Sequence, residues 1–541
     1  MRSKNVWKFL VIVVMFSLPL TLLAQVENWI YTYNGHGNDD DYARSIIQGS
    51  DGNIYAAGYS NGSASYGDFT VMSLTTAGDT NWVYGYNGPG NGSDYAESIV
   101  YGSDGNIYAA GGSSGSSTDY DFTVLSLTSA GDTNWVYGYN GPGNGSDYAE
   151  SIVYGSDGNI YAAGYSTGSA IYGDFTVISL TTSGTERWVY RYNGPGNYDD
   201  VAFSIVHGSD GNVYAAGTSS GSGTYADFTV ISLTTAGDTN WIYRYNGPGN
   251  YYDQAYSIVY GSDGNIYTAG YSTDTDYDFT VISLTTAGDA NWIYRYNGPG
   301  NGLDRARSIV QGSDGNIYIA GESYGTGTYY DFTVISLTSA GDTNWVYRYN
   351  GPGNDYDCAN SIVQGSDGNI YAAGGSFGSY YDFTVISLTS AGDTNWVYRY
   401  NGPGNFQDYA SSIIQGSYGN IYAAGGSSGS STDYDFTVIS LGPAGINERD
   451  VLDSYEHDQV LFVPSLFMDN IRIKLTMPSQ NPLRIALHNI CGRKVYEETY
   501  SHTPSSIIIS GEQIKRLSSG LYILSASLGT ENVGRFRLIK L

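Results

Sequence analysis

The stretch Val26-Glu27-Asn28-Trp29-Ile30-Tyr31-Thr32-Tyr33-Asn34 is one copy of a repeated strand. Its pattern, Asn-Trp-(Val/Ile)-Tyr-x-Tyr-Asn-Gly, returns around Trp82, Trp135, Trp188, Trp241, Trp292, Trp345 and Trp396, with Arg187 replacing the Asn once. Seven of the eight copies carry a glycine four residues before the tryptophan, from Gly78 to Gly392. The copy at Trp29 has only an apolar leader ahead of it. An orphan strand at one end of an array suggests that it completes a sheet begun at the other end.

Successive tryptophans lie 53, 53, 53, 53, 51, 53 and 51 residues apart, a period that indicates a propeller, a solenoid or a related repeat array. Gly78–Gly111 and Gly131–Gly164 are identical. Within one unit Asp94 to Tyr101, Asn106 to Gly111, Asp121 to Leu127 and the tryptophan strand read as four strands. The Asp-Gly turn Gly102-Ser103-Asp104-Gly105 between the first two supplies the positive φ that tight hairpins require. No capped helical periodicity interrupts the pattern, so the array is all-β. The first two strands carry small residues (Ala96, Ser98, Ala109, Ala110) and the last two carry large ones (Phe122, Leu125, Trp135, Tyr137). Sheets packed radially converge at an axis and splay at a rim, which explains that gradient; stacked solenoid rungs do not. Inner strands open eight times, at Asp41, Asp94, Asp147, Asp200, Asp253, Asp304, Asp357 and Asp408, and the tryptophan strand also occurs eight times. The expectation is an eight-bladed β-propeller (25–445) closed by its N-terminal strand. An open arc would leave strand edges bare.

The chain has 541 residues and a formal net charge of −29. From Gln25 to Gly445, 9 arginines and no lysine face 42 acidic residues, a net of −33; from Ile446 onward 11 basic and 10 acidic residues nearly cancel. A lysine-free acidic body argues against nucleic acid as a partner and against docking on anionic lipid. The two cysteines, Cys358 and Cys491, make no disulfide framework. Cys358 takes a place held by Tyr, Val, Gln or Arg in other repeats, which argues against a thiol nucleophile. Met1 to Ala24 combines Arg2, Lys4 and Lys8 with an apolar run from Phe9 to Leu23. That is the form of a secretory signal peptide (1–24), with cleavage between Ala24 and Gln25 and no transmembrane span in the mature protein.

The run Asp-x-Ala-x-Ser-Ile-Val-x-Gly-Ser-Asp-Gly-Asn-Ile-Tyr-Ala-Ala-Gly, followed by Asp-Phe-Thr-Val-Ile-Ser-Leu, resembles the bacterial SBBP-type β-propeller repeat from Val26 to Leu441. It resembles the delta-60 repeat more loosely. The resemblance implies the fold and no single activity. Gly78-x-x-x-Trp82 keeps part of the tryptophan-docking spacing of quinoprotein propellers, but Met72 and Leu74 stand where that motif has its Ala and Asp. Tryptophan therefore reads as blade packing, and no cofactor is expected. After a linker (446–459), short alternating strands from Val460 to Leu541 suggest a small Ig-like β-sandwich. Gly492-Arg493-Lys494-Val495, Leu517-Ser518-Ser519-Gly520-Leu521-Tyr522 and Phe536-Arg537-Leu538-Ile539-Lys540 resemble the type A C-terminal sorting domain of the type IX (Por) secretion system. The early Pro-Asn-Pro of many members is reduced to Val463-Pro464-Ser465. This resemblance implies the outer-membrane secretion machinery as partner and a secreted or cell-surface location. An accessory substrate-binding sandwich is the alternative.

The eight copies also align one another. The turns on one rim are nearly fixed, whereas the interblade loop and the loop between second and third strands vary in residue and length. Variable loops on a rigid scaffold are where binding sits, and Tyr, Ser and Gly suit adaptable surfaces. Ligand-binding candidates are Tyr66, Tyr120, Tyr172, Tyr225, Tyr277, Tyr329 and Tyr381 on that rim. Arg44, Glu97, Glu150, Tyr256 and Arg307 join them from the innermost strand, which also varies at Phe203, Asn360 and Ser411. Unselected loop drift explains the variation equally well. No blade breaks the pattern with a matched acid, base or metal set, so no catalytic residue is assigned. The opening aspartate recurs in every unit and reads as a hydrogen-bonding device. Asp274, Asp276 and Asp278 alternate in a manner that suggests calcium, without the glycine and final glutamate of an EF-type loop. The leading reading is a binding or adhesion scaffold for a glycan or protein ligand. A polysaccharide-active hydrolase or lyase, in which no carboxylate pair stands out, and a purely structural surface protein are the alternatives.

Overall fold

The computed structural model describes residues 26–442 apart from 63–65, 116–118, 169–171, 418 and 430–432. Of the remainder it describes 461–462, 466–467, 470–475, 483–489, 494–501, 506–510, 514, 517, 520–528 and 531–540. The expected leader, its cleavage point at Ala24 and Gln25, and the linker lie outside the described residues. The chain divides into two compact units, 1–445 and 446–541.

The first unit holds eight four-stranded antiparallel sheets. Seven are sequential, as in Asp41–Gln48, Ile54–Asn61, Gly67–Leu74 and Thr80–Tyr86. The eighth joins Asp408–Gln415, Ile421–Ser428 and Tyr434–Gly442 to Val26–Tyr33 from the other end of the unit. Trp29 stands opposite Ser440 and Tyr31 opposite Val438 in that ladder. The first strand of each sheet packs against the first strands of both neighbours, and the circle closes from Asp408–Gln415 back to Asp41–Gln48. Gln48 Oε1 accepts from the Ser417 amide at 2.7 Å across the closing junction. This is the ring of a β-propeller, and its sheets are called blades below.

Among the described residues of this unit, hydrophobic clusters occupy all eight junctions between neighbouring blades. The closing junction gathers Ala43, Ile54 and Met72 of the first blade with Tyr422, Phe436 and Val438 of the eighth and the clasp residue Trp29. Second and third strands are buried on both faces because each sheet is sandwiched between two others. Burying a large apolar side chain there stabilises by about 1.5–3 kcal/mol. Outermost strands alternate between exposed and half-buried residues, as expected of a rim.

The tryptophans stitch blades together across the chain rather than within a blade. Trp29 Nε1 donates to the Thr76 carbonyl in the next blade, and six more tryptophans repeat the bond at 2.9–3.0 Å. The glycine ahead of each of the seven later tryptophans lies against the preceding blade's indole. Gly78 has φ +88°, and a Cβ there would stand 2.8 Å from Trp29 Cδ2, so both the backbone and the space demand glycine. Toward the axis, at seven junctions, a serine of one innermost strand accepts from an isoleucine amide of the next, from Ile99 onto Ser45 through Ile413 onto Ser361.

The aspartate that opens each inner strand is fully buried. One of its oxygens accepts from a glycine amide of the preceding interblade loop at 2.6–2.9 Å. The other accepts from the end of the second strand at 2.7–3.0 Å. The hydrogen-bonding role read from its eightfold recurrence is the one it performs. The same loop ends in an asparagine at positive φ, 50° at Asn38, in all eight copies, a conformation that asparagine tolerates better than most residues.

In the second unit Leu461–Phe462, Asn470–Leu475 and Ser506–Ser510 form a three-stranded sheet. Leu466–Phe467, Glu531–Lys540, Gly520–Leu528, Leu483–Asn489 and Lys494–Tyr500 form a five-stranded one. Leu483, Ile485, Leu487 and Leu524 are buried.

Burial pushes Asp200, Asp253, Asp304 and Asp357 up to about 6, against the hydrogen bonds that oppose it. Folded-state values above the unfolded one mean that this stabilisation is complete below about pH 4 and declines as pH rises toward 6. Turn aspartates such as Asp210, where bonds from Tyr214 and Asn212 outweigh desolvation and lower the carboxyl, titrate below that window. The melting temperature of the full chain should therefore fall as pH is raised from 4.5 to 7. A profile flat or rising across that range in calorimetry would contradict this account of the aspartates.

Candidate functional site

In every blade the ladder between first and second strands slips by one residue, from Ala43/Ser45 in the first blade to Ala410/Ser412 in the eighth. The extra residues are Arg44, Glu97, Glu150, Phe203, Tyr256, Arg307, Asn360 and Ser411. These are the variable positions of the inner strand, and a β-bulge re-aims the side chain it inserts. Several bulge residues reach the innermost strand of the next blade. Arg44 Nε lies 3.8 Å from Glu97 Oε2, the Phe203 and Tyr256 rings are 5.4 Å apart, and Asn360 Nδ2 donates to the Ala410 carbonyl at 2.8 Å.

Two residues before the bulge, on the strands beside it and, at Tyr356, in an interblade loop, tyrosines form an unbroken arc over six blades. From Tyr330 it runs through Tyr356, Tyr381, Tyr409, Tyr434, Tyr42, Tyr59, Tyr95, Tyr120 and Tyr148 to Tyr165, with ring centroids 4.8–6.5 Å apart. Where the second strand offers glycine, a neighbour's ring fills the gap: a Cβ on Gly112 would stand 2.2 Å from Tyr148.

The seven candidate rim tyrosines fall into two registers. Tyr120, Tyr277 and Tyr381 directly precede the third-strand aspartate and face the aromatic arc or its continuation at Tyr271; burial pushes Tyr120 and Tyr381 up to about 12. Tyr66, Tyr172, Tyr225 and Tyr329 stand one residue earlier and point outward. Tyr225 is 52% exposed, Tyr66 53% and Tyr329 47%. Outward tyrosines meet aromatic residues of the adjoining interblade loop in Tyr172–Tyr198 (5.0 Å) and Tyr225–Tyr251 (4.4 Å). Tyr329 reaches Tyr330 (4.7 Å), which meets Tyr356 of the next loop (4.9 Å), and Tyr380 meets Phe406 (4.8 Å). Aromatic clusters thus mark the junctions between blades 3 and 4, 4 and 5, 6 and 7, and 7 and 8.

One charged residue, Glu322, and one adjacency, that of the candidates Glu97 and Glu150, are not evident in the sequence. The sixth blade does depart from the pattern. Glu322, only 1% exposed, accepts from Arg307 Nε at 2.5 Å and Nη2 at 3.0 Å, with Arg305 Nη1 4.0 Å away and Tyr356 Oη 3.1 Å from Arg307. Its signal was a glutamate where other second strands have Tyr, Thr or Gly. A carboxylate pair also stands out. Glu97 and Glu150 occupy adjacent bulges, and burial followed by the charge of Glu97 pushes Glu150 up to about 7, with Arg44 opposing. A carboxyl titrating there is able to hold or release a proton near neutrality. Cys358 is buried, and that burial pushes its thiol up to about 11, so it stays protonated.

Of the calcium candidates, Asp278 and Asp274 turn toward Arg295, at 2.6 and 3.8 Å. Asp278 belongs to a set of third-strand aspartates paired with fourth-strand arginines, Asp174–Arg191, Asp227–Arg244, Asp331–Arg348 and Asp382–Arg399, at 2.7–2.8 Å. Arg295 thus engages two of the three carboxylates of this trio. Among the described residues, the three carboxylates that do cluster, within 4.8 Å of one another, are Asp39, Asp40 and Asp433 at the closing junction.

Compared by sequence, the chain matches no family model and no curated protein. Solved structures do match. The quinohemoprotein alcohol dehydrogenase ADHIIG of Pseudomonas putida HK5 shares 12% identity at a TM-score of 0.48, over 78% of this chain and 76% of that one. The periplasmic gluconolactonase PpgL of Pseudomonas aeruginosa shares 10% at 0.40, over 70% and 98%. PorZ, a surface component of the type-IX secretion system of Porphyromonas gingivalis, shares 9% at 0.31, over 92% and 81%. No helix among the described residues is long and apolar enough to cross a membrane.

Replacing Arg307 by Ala strands the Glu322 carboxylate in the interior. A loss of about 3–5 kcal/mol in denaturant unfolding is expected, with much of it recovered when Glu322→Gln is added. Additive losses would show that the pair is not coupled.

Proposed function

We propose that this chain is an exported propeller, displayed on the cell surface or released, that binds an extended glycan on its variable face. The observation that carries the reading is the set of aromatic clusters at four blade junctions. Each offers flat apolar area with a phenolic hydroxyl at its edge, a combination suited to the alternating faces and hydroxyls of a sugar ring. Clusters recurring blade by blade suit a ligand that is itself repetitive, since several weak contacts along one chain multiply. The acidic, lysine-free body favours a neutral or basic polymer over an acidic one.

The address of the protein belongs to the same proposal. Met1–Ala24 acts as a signal peptide, the SBBP-type repeats form the ring, and the near-neutral second unit serves as an Ig-like type A sorting domain for the type IX machinery. The two β-sheets of that unit and its closing Phe536-Arg537-Leu538-Ile539-Lys540 support it. A polysaccharide-active enzyme is the second reading, favoured by the adjacent Glu97 and Glu150. It requires cleavage that Glu97→Gln or Glu150→Gln abolishes.

The full chain should retain particular oligosaccharides on a glycan array. Tyr225→Ala with Tyr251→Ala should weaken retention about tenfold, or about 1.4 kcal/mol, without lowering the melting temperature. Retention of no glycan, or indifference to the rim substitutions, would rule the glycan reading out. Deleting 460–541 should trap the protein inside the cell envelope on fractionation; undiminished surface display would refute the sorting role.

A further inference from the structure

Two tyrosine pairs in the ring share one geometry and differ in what accompanies them. In the first blade Tyr42 faces Tyr59 across the ladder, stacked at 6.3 Å and 14°. In the third blade Tyr148 and Tyr165 hold the same register, stacked at 6.2 Å and 16°. The first pair carries a cation of the chain itself. The guanidinium carbon of Arg44 lies 5.1 Å from the Tyr42 centroid and 5.9 Å from that of Tyr59, with Glu97 beside it at 3.8 Å. The arrangement recurs where Arg305 sits 5.6 and 5.2 Å from Tyr271 and Tyr277, with Glu322 at 4.0 Å. Aromatic faces combined with a carboxylate are what attract an organic cation.

The third blade has the tyrosine pair, and its bulge residue, in the place of Arg44, is Glu150. Groups facing Glu150 are Glu97 and Arg44 from the blades before it, Tyr148 on its own strand and Tyr165 on the second strand. Glu97 is already engaged, accepting from Tyr148 Oη at 2.8 Å and lying beside Arg44. Glu150 receives no hydrogen bond and no close ion pair from the described residues. The third blade thus has the same ring pair with a carboxylate in the place of the guanidinium, and the chain cation that faces it, Arg44, is held over the first blade's own rings beside Glu97.

We propose that Glu150, Tyr148 and Tyr165 form a binding site for an organic cation, a primary ammonium or guanidinium group supplied by a ligand. The site is separate from the aromatic clusters at the outer junctions and does not depend on their ligand. An incoming cation neutralises Glu150, relieves its repulsion with Glu97 and lies on rings arranged as those under Arg44. Because Glu150 must be ionised to attract the cation and titrates near 7, binding strengthens as pH rises through neutrality.

The test is calorimetric titration of the full chain with cadaverine, which stays doubly charged from pH 6 to pH 8, at constant salt. About tenfold tighter binding at pH 8 than at pH 6 is expected from one carboxyl titrating midway. Glu150→Gln should remove that pH dependence and weaken binding at pH 8 about tenfold. Glu97→Gln should move the pH midpoint downward, a change that mere loss of surface charge would not produce. Asp79→Asn, on the opposite rim, should leave the affinity unchanged. Repeating the titration with Nα-acetyl-lysine amide distinguishes the source: tighter binding than cadaverine places the cation on a protein side chain, weaker binding on a free amine. Absence of binding, or binding by Glu150→Gln equal to that of the parent at both pH values, would overturn the proposal.

Discussion

A carboxylate with no exposure, gripped by two backbone amides, governs this ring. Without such partners a buried charge is prohibitive; here both oxygens of each inner aspartate are satisfied by chain segments distant from each other in sequence. The bond to the loop glycine fixes where one blade's outermost strand hands over to the next blade's innermost strand. The bond to the second strand fixes the register from which the bulge follows a few residues later. The aspartate thereby sets the position of the bulge residue, and eight repetitions arrange eight variable side chains around one axis.

The fold was legible because repetition exposes it. The orphan strand at Trp29, matched counts of inner and outer strands, and the gradient from Ala109 to Trp135 all indicate a ring closed by its own beginning, and the strand at Val26–Tyr33 does pair with Tyr434–Gly442. The site was legible only as a set of variable positions. A register slip leaves no mark in composition, so nothing in Ala43-Arg44-Ser45 announces that Arg44 is aimed differently from its neighbours. Contacts between blades link residues about 50 positions apart, which hid the adjacency of Glu97 and Glu150. Rim tyrosines were read as one class because loop length varies; only the third-strand aspartate, used as a ruler, separates Tyr120 from Tyr225.

Backbone symmetry and side-chain asymmetry answer to different constraints. Asp, Trp, Gly and the apolar residues of the second and third strands recur because every junction must pack the same way. Charges follow sectors instead. Blades three to seven pair their third-strand aspartate with an arginine, whereas Thr32, Gly85 and Gly138 take that place in the eighth, first and second blades. Glu97, Glu150 and the trio of Asp39, Asp40 and Asp433 lie in or beside that arginine-poor sector, and Arg305 and Arg307 lie across the ring from Glu97. A nearly eightfold scaffold therefore presents a polar direction to whatever it meets.

Closure by the first strand also bears on how such a gene can change. The two ends of the array encode a single blade between them, so every boundary between interior repeats is free to shift without touching the clasp. Unequal exchange between tracts as alike as Gly78–Gly111 and Gly131–Gly164 adds or removes one whole sheet and leaves every junction chemically intact. Ring size in this lineage is then limited by the angle at which neighbouring blades pack, and heredity can count blades in whole numbers only.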